Sequence, residues 1–145
     1  MKILITGATG FLGRRVVAAL APRHELRLLV RPSASRERFP AGVEFAAGDV
    51  TDRASLLAAA RGCDVVLHAA ALVKIDAPAA EFDRVNVGGL ENVLGAAQEA
   101  GVGEIVYVSS FIALGPTEGG PGGQLDEKAP GSSGNWINDY HRTKS

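Results

Sequence analysis

The residues whose types and spacing most clearly indicate catalysis lie near the end of the 145-residue chain, where Tyr140 and Lys144 occur in the segment YHRTK. A spacing of four places two side chains on one face of a helix. A lysine ammonium close to a phenol favours its ionised form and so helps it to give up a proton. A hydroxyl from Ser109 or Ser110 could hold a carbonyl oxygen in place. Such a set could protonate the alkoxide that forms when a carbonyl accepts a hydride; the alternative is an incidental pair on a solvated helix.

The stretch from Lys2 to Gly13, KILITGATGFLG, has the order of a buried strand, a glycine-rich turn and the start of a helix. A bare backbone turn lets a pyrophosphate approach closely, and the first N–H groups of the helix carry the positive end of its dipole. The pattern therefore predicts a dinucleotide phosphate site, whereas the alternative is a tight turn without a ligand. The candidate cofactor-binding residues of this turn are Gly7, Thr9, Gly10, Phe11, Leu12 and Gly13.

Composition limits the remaining classes of function. The net charge of −1 argues against general nucleic-acid binding, while residues 1–73, which include the glycine turn, hold an excess of basic residues. A single cysteine, Cys63, excludes an internal disulfide and a cysteine metal cluster, so no metal site is expected. The sequence has neither a signal-peptide pattern nor an apolar run of membrane-spanning length. We therefore expect a cytoplasmic protein that contacts neither membrane nor nucleic acid.

Five strands alternate with helices along the chain, and the predicted strands are Ile3–Ile5, Leu26–Val30, Val43–Ala46, Asp64–Leu67 and Ile105–Val108. This alternation predicts an α/β fold: a Rossmann-type doubly wound parallel sheet in the strand order 3-2-1-4-5. The ligand crevice then lies at the carboxyl ends of strands 1 and 4. The helix periodicity predicts that Leu12, Val16 and Leu20 face the sheet in the first helix, and that Val87, Leu90, Leu94 and Ala97 do so in a helix from Asn86 to Ala100.

The end of the second strand predicts the choice of cofactor. An acid about 20 residues past the glycines binds the ribose 2′-hydroxyl of NAD, and an arginine there accommodates the 2′-phosphate of NADP. No acid follows Val30; the segment RPSASRER begins with Arg31 and includes Arg36. Guanidinium groups hold phosphate with paired hydrogen bonds, so we expect NADP in preference to NAD. The alternative is a solvated basic loop.

Small residues follow the fourth strand, where Ala69, Ala70 and Ala71 would let a cofactor lie against the backbone. His68 precedes them and has the chemistry of an acid or base. Its place at the end of a strand, next to small residues, favours a packing or hydrogen-bonding role at the cofactor wall.

The turn TGATGFLG, the segment NVGGLENVL and the serine pair that precedes Y-x-x-x-K together resemble the extended short-chain dehydrogenase/reductase (NAD-dependent epimerase/dehydratase) family. The segments VRPS and SSFIALGP look most like its dihydroflavonol-4-reductase-like branch. The resemblance implies that Ser110, Tyr140 and Lys144 are catalytic and that Tyr140 and Lys144 also contact the cofactor. It further implies that Asp49 and Val50 lie beside the adenine.

The resemblance implies an oxidoreductase that transfers a hydride between NADP(H) and a carbonyl or secondary alcohol of a small organic substrate. Two alternatives stay open: a nucleotide-sugar epimerase or dehydratase with tightly bound NAD, and a non-catalytic dinucleotide-binding regulatory protein. Members of the family often form homodimers through helices, which is an expectation for the full-length protein.

The family continues beyond the point that corresponds to Ser145. We therefore expect residues 1–145 to be a dinucleotide-binding domain that is incomplete at its C-terminus, and that does not by itself turn over substrate. The glycine-rich stretch from Gly115 to Gly134 predicts a mobile loop at the substrate side.

Overall fold

The computed structural model describes residues 1–74, 76–114, 134 and 136–145. Its strands form one parallel sheet in the order β3-β2-β1-β4-β5, which confirms the predicted topology. The strands are β1 (Lys2–Thr6), β2 (Glu25–Val30), β3 (Glu44–Ala47), β4 (Val65–His68) and β5 (Glu104–Tyr107). Most of the glycine-rich stretch that predicted a mobile loop lies outside the described residues.

The helices of the described residues are α1 (Phe11–Leu20), α2 (Arg53–Ala60), α3 (Ala79–Phe82), α4 (Gly88–Ala100) and α5 (Asp139–Lys144). A π-helical turn, Asp83–Val87, joins α3 to α4, and a 3₁₀ turn, Phe111–Leu114, follows β5. Within the described part of the chain, no helix is long and apolar enough to cross a membrane.

A hydrophobic core lies on each face of the sheet because side chains alternate along a strand. Leu4 of β1 belongs to the core that α2 and α4 cover. Its neighbours Ile3 and Ile5 belong to the core on the opposite face, together with Val17 of α1. Both faces of β1 are therefore buried, which fits its place at the centre of the sheet.

Helix α1 packs on the sheet with only part of the face that its periodicity predicted. Gly13 and Val17 are buried, whereas Leu12 is 45% exposed. A Cβ at Gly13 would lie 2.1 Å from the Gly7 carbonyl oxygen, so the helix backbone touches the turn at this glycine. Successive helical residues lie about 100° apart around the axis, and this contact therefore turns Leu12 outward. The prediction was wrong for Leu12, while Val16 and Leu20 pack against the core.

The helix predicted from Asn86 to Ala100 corresponds to the end of the π turn and α4, and the helical stretch of α3, the π turn and α4 begins at Ala79. Val87 is 39% and Leu94 45% exposed, so the predicted apolar face was wrong for both residues. The buried face carries Gly89 and Val93 together with Ala97, for which the prediction is confirmed. A π turn adds one residue to a helical turn and so rotates the faces of the residues around it. A Cβ at Gly89 would lie 3.1 Å from Val50 Cγ2, so this glycine lets α4 approach the segment after β3.

Candidate functional site

The turn after β1 requires glycine at its first position, Gly7, and this leaves its backbone bare toward a ligand. Gly7 has a φ of +73°, and a Cβ there would lie 2.5 Å from the Ala70 backbone nitrogen. A side chain at this position would therefore fill the space between the ends of β1 and β4. Gly10 is the N-cap residue of α1. No side chain caps this end of the helix, and the first turn contains no acidic residue. The first turn of α1 therefore holds no carboxylate that would compete with an anion.

A cleft of about 400 Å³ opens beside this turn, across the carboxyl ends of β1 and β4. The predicted cofactor-binding residues that line it are Gly7, Thr9, Gly10, Arg31, Asp49, Val50, Ala69, Ala70 and Ala71. The structure therefore brings the glycine turn, the end of β2, the segment after β3 and the small residues after β4 to one cavity. This is the position at which an open α/β sheet binds its ligand.

Other predicted cofactor-binding residues do not line the cleft, and they are Phe11, Leu12, Gly13, Arg36, His68, Tyr140 and Lys144. Phe11 is 79% exposed, with the Arg15 guanidinium 3.8 Å from its ring centroid. The exposed Arg36 guanidinium lies 5.2 Å from the Phe45 ring centroid, which gives it a local partner away from the cleft. Arg31 is thus the predicted arginine that the structure places at the cavity.

One wall of the cleft escaped the sequence analysis. Glu81, Arg84 and Val85 line it from α3 and the π turn. The Arg84 guanidinium lies 3.7 Å from the Glu81 carboxylate, and both side chains are about half exposed. Because the periodicity predicted a helix only from Asn86 onward, no pattern indicated that these residues reach the site.

Asp49 lines the cleft, and hydrogen bonds from Thr51 hold its carboxylate in place. One of its carboxylate oxygens, Oδ1, accepts hydrogen bonds from the Thr51 backbone N–H and from the Thr51 hydroxyl, each at 2.9 Å. These bonds, above all the backbone one, hold the pKa of Asp49 below its usual value, and the positive charges of Arg31 and Arg84 add to the effect. The site therefore presents a fixed, ionised carboxylate beside Val50.

Lys144 lies buried at the carboxyl end of β5, with 8% of the residue exposed. Its Nζ donates hydrogen bonds to Tyr107 Oη at 2.8 Å and to the Val108 carbonyl oxygen at 3.1 Å. Burial lowers the pKa of Lys144, whereas the nearby Tyr140 raises it. Tyr140 precedes Lys144 by one turn of α5, so the structure forms the helical pair that the spacing predicted.

Ser110 is next in sequence to an element that contacts α5. Helix α5 packs against the 3₁₀ turn Phe111–Leu114, which Ser110 immediately precedes. The half-buried Ser110 accepts a hydrogen bond from the Ile112 N–H at 3.4 Å, whereas Ser109 is exposed. Ser110 therefore directly precedes an element that packs against the helix of Tyr140 and Lys144.

Helix α5 is anchored although it has only six residues. Arg142 forms ion pairs with Asp83 of the π turn at 2.7 Å and with Asp139 at 3.0 Å. The buried Asn86 donates from Nδ2 to Thr143 Oγ1 at 3.0 Å, and its Oδ1 accepts from the Leu72 N–H at 2.7 Å. So short a helix is marginal by itself, and these contacts hold it against the π turn.

His68 is a buried partner of other side chains, as its surroundings predicted. It is 1% exposed, its Nδ1 lies 2.6 Å from Thr6 Oγ1, and its ring stacks on Tyr107 with centroids 5.6 Å apart. Burial, together with the charge of Lys144, lowers the pKa of His68 to about 4. The imidazole is therefore neutral at neutral pH and does not line the cleft.

We expect this histidine to make the folded protein sensitive to acid. Between pH 6.5 and about 4 the unfolded chain binds a proton at His68 and the folded protein does not, so stability falls as the pH is lowered through this window. The loss reaches about 3 kcal/mol, because each unit of pKa difference corresponds to about 1.4 kcal/mol.

Urea unfolding of the wild type and of His68→Gln at several pH values across that window measures this loss. The difference between the two proteins isolates His68, since the other titrating groups cancel. Parallel pH dependences for the two proteins would show that His68 is not responsible.

The comparisons with known proteins agree with this geometry. Residues 4–145 match the sequence profile of the 3-beta hydroxysteroid dehydrogenase/isomerase family. The chain belongs to this family. The resemblance to extended short-chain dehydrogenase/reductases is thereby confirmed. The relatives include a ketoreductase, 3 beta-hydroxysteroid dehydrogenases and epimerases, and several of the similar structures hold NAD.

Three relatives illustrate the range of the match. The 4-hydroxy-2-methyl-3-oxo-4-farnesyl-3,4-dihydroquinoline-1-oxide ketoreductase of Stigmatella aurantiaca is 39% identical over 132 residues, which are 90% of this chain and 39% of that protein. A short-chain dehydrogenase/reductase superfamily protein of Agrobacterium tumefaciens with bound NAD is 33% identical with a TM-score of 0.79, over 99% of this chain and 42% of its own. The NAD-bound UDP-glucose-4-epimerase of Stenotrophomonas maltophila is 26% identical with a TM-score of 0.83, over 99% and 45% of the two chains. This chain therefore spans less than half the length of each relative.

Proposed function

We propose that the protein containing this chain is an NADP(H)-dependent oxidoreductase that transfers a hydride between the nicotinamide and a carbonyl or secondary alcohol of a small organic molecule. The observation that carries the proposal is the buried Lys144 at the carboxyl end of β5, one helical turn after Tyr140. Burying a lysine is costly unless its charge is used or paired. The proposal places that charge beside a phenol that exchanges a proton with substrate.

The chain's own residues fit the cofactor. Any Cβ at Gly7 would fill the space where the ends of β1 and β4 meet, and Thr9 and Gly10, which directly precede α1, line the same cleft. In this proposal Gly7, Thr9 and Gly10 hold the pyrophosphate, Asp49 and Val50 contact the adenine, and Ala69–Ala71 border the nicotinamide ribose. The bound cofactor supplies or accepts the hydride.

Three side chains handle the proton and the carbonyl. Tyr140 donates a proton to the alkoxide during reduction, and the same group as phenolate removes it during oxidation. Lys144 favours the phenolate through its charge. Ser110 hydrogen-bonds the carbonyl oxygen and so orients the substrate. These roles, and residues 1–145 as the dinucleotide-binding domain, are parts of the proposal.

Arg31 supports NADP as the preferred cofactor. It follows β2 and lines the cleft, and the sequence has no acid directly after this strand. An arginine there can hold the 2′-phosphate, which a carboxylate would repel. The relatives named above whose structures contain a cofactor hold NAD, so the preference for NADP is the finer part of the proposal.

We expect Arg31→Glu to weaken NADPH binding by about tenfold or more, since it replaces an attractive charge with a repulsive one at the 2′-phosphate. NADH, which lacks that phosphate, should bind about as before. The rise in melting temperature that each cofactor produces measures both effects. Arg36→Glu is the matched control, because Arg36 lies on Phe45 and outside the cleft. Equal losses for the two cofactors would place Arg31 away from the 2′-phosphate.

The reaction itself is tested by mixing the full-length protein with NADPH and a panel of steroidal and non-steroidal ketones. The proposal predicts substrate-dependent loss of NADPH absorbance and formation of the corresponding alcohol. If the cofactor binds but none of these ketones is reduced, while a nucleotide sugar is converted without net cofactor oxidation, the oxidoreductase proposal fails.

That second outcome describes an epimerase or dehydratase with bound NAD. The likeness to the Stenotrophomonas maltophila epimerase favours it as the alternative, and the absence of an acid after β2 disfavours it. The dihydroflavonol-reductase-like branch, a homodimer, the lack of nucleic-acid partners and a cytoplasmic location stay predictions of the sequence.

A further inference from the structure

Tyr107, the last residue of β5, has no role in the proposed catalysis or cofactor binding. Its Oη accepts a hydrogen bond from Lys144 Nζ at 2.8 Å, and the Val108 carbonyl oxygen accepts another at 3.1 Å. These two acceptors, one side chain and one backbone group, fix the direction of a long side chain that is otherwise free to rotate. The Lys144 nitrogen also lies 4.5 Å from the centroid of the Tyr107 ring.

The Tyr107 ring is itself held in place by the sheet. It stacks on His68 with an interplanar angle of 19°, and the register pairs His68 with Tyr107 directly across β4 and β5. The same register pairs Thr6 with His68 across β1 and β4, and the Thr6 hydroxyl lies 2.6 Å from His68 Nδ1. Three adjacent strands thus end in a row of side chains, Thr6, His68 and Tyr107, that leads to Lys144.

We propose that Tyr107 is a positioning residue whose phenol oxygen holds the Lys144 ammonium where it acts on Tyr140. This inference rests on the proposed function, in which Lys144 assists proton exchange at Tyr140. Because burial disfavours the charged amine, a hydrogen-bond acceptor at 2.8 Å offsets part of that cost. His68, which is neutral at neutral pH, allows this arrangement, since an imidazolium stacked on Tyr107 would repel the ammonium.

The test uses Tyr107→Phe in the full-length protein. Phenylalanine keeps the ring that stacks on His68 and removes only the acceptor for Lys144. We expect kcat for hydride transfer to fall by about tenfold, as expected for a lost hydrogen bond to a charged group, with KM for the carbonyl substrate changed by less than about twofold. A thermal melt close to that of the wild type shows that the variant is folded.

A double-mutant cycle with Lys144→Met shows whether Tyr107 acts through Lys144. In the Lys144→Met background, Tyr107→Phe should have no further effect on kcat. An equal loss in both backgrounds would overturn the inference, because Tyr107 would then act independently of the lysine. Unchanged kcat in Tyr107→Phe, together with a large loss in Lys144→Met, would also overturn it and leave the proposed function intact. Unchanged kcat in Lys144→Met would show that the lysine does not assist Tyr140. The part of the proposed function on which the inference rests would then be wrong.

Discussion

Replacing Tyr140 with phenylalanine in the full-length protein is expected to lower kcat for carbonyl reduction by about a hundredfold or more. The phenol is the group that the proposal assigns to the alkoxide proton, and phenylalanine has no proton to give. The ring is retained, so the packing of α5 against the 3₁₀ turn and the π turn should persist. Steady-state kinetics with NADPH and a reducible ketone measure the loss.

Cofactor titration separates this chemical effect from misfolding. The cofactor affinity of Tyr140→Phe should stay within about threefold of that of the wild type, since the cleft is lined by other residues. Arg142→Lys is a control on the same helix, because it keeps a cation facing Asp83. A kcat for Tyr140→Phe close to the wild-type value would show that another group, or water, supplies the proton.

The largest effect on stability is expected from Gly13→Ala. The new methyl group would lie 2.1 Å from the Gly7 carbonyl oxygen and 2.7 Å from the Ala8 Cα. Both contacts are with backbone, so α1 must move away from the turn rather than a side chain rotating aside. We expect the free energy of unfolding to fall by about 3 kcal/mol, measured by urea denaturation.

The same movement should weaken cofactor binding, because it disturbs Gly7, Thr9 and Gly10 of the turn, which line the cleft. Gly88→Ala is the matched control: Gly88 has ordinary helical dihedral angles, and its nearest Cβ contact is the Asp83 carbonyl oxygen at 3.6 Å. That variant should be stabilised by about 1 kcal/mol or less, as alanine favours helices over glycine. Equal stability of the two variants would contradict the close packing of α1 on the turn.

The sheet was predictable from the sequence because its signals are local and strong. Short apolar runs separated by helical stretches allow few topologies once crossovers must be right-handed. The predicted strand Val43–Ala46 corresponds to Glu44–Ala47 in the structure, a shift of one residue that leaves the order of strands unchanged. The ends of the strands were therefore placed well enough to bring Arg31, Asp49 and Ala70 to one cleft.

The faces of α1 and α4 were not predictable in the same way. The orientation of α1 depends on the contact of Gly13 with Gly7, and an apolar pattern does not record that contact. In the π turn before α4, Asn86 accepts a hydrogen bond from the Leu72 N–H and donates one to Thr143, and both partners are distant in sequence. A periodicity of 3.6 residues assumes a regular helix, and one inserted residue breaks it.

Tyr107 escaped the sequence analysis for a related reason. Its importance follows from the register that sets it beside His68 and from the position of α5, neither of which a strand pattern reveals. A tyrosine two residues before the serine pair was the one available signal. A tyrosine in such a strand usually only packs against its neighbours, so this signal is weak without the structure.

Isothermal titration of the full-length protein with NADPH and with NADH, side by side, tests most directly that the cleft beside Gly7 holds a nicotinamide dinucleotide. We predict saturable binding of about one cofactor per chain, with NADPH the tighter of the two. Tighter binding of NADH would contradict the assignment of Arg31 to the 2′-phosphate and favour the epimerase or dehydratase alternative. If neither cofactor binds, the central claim fails.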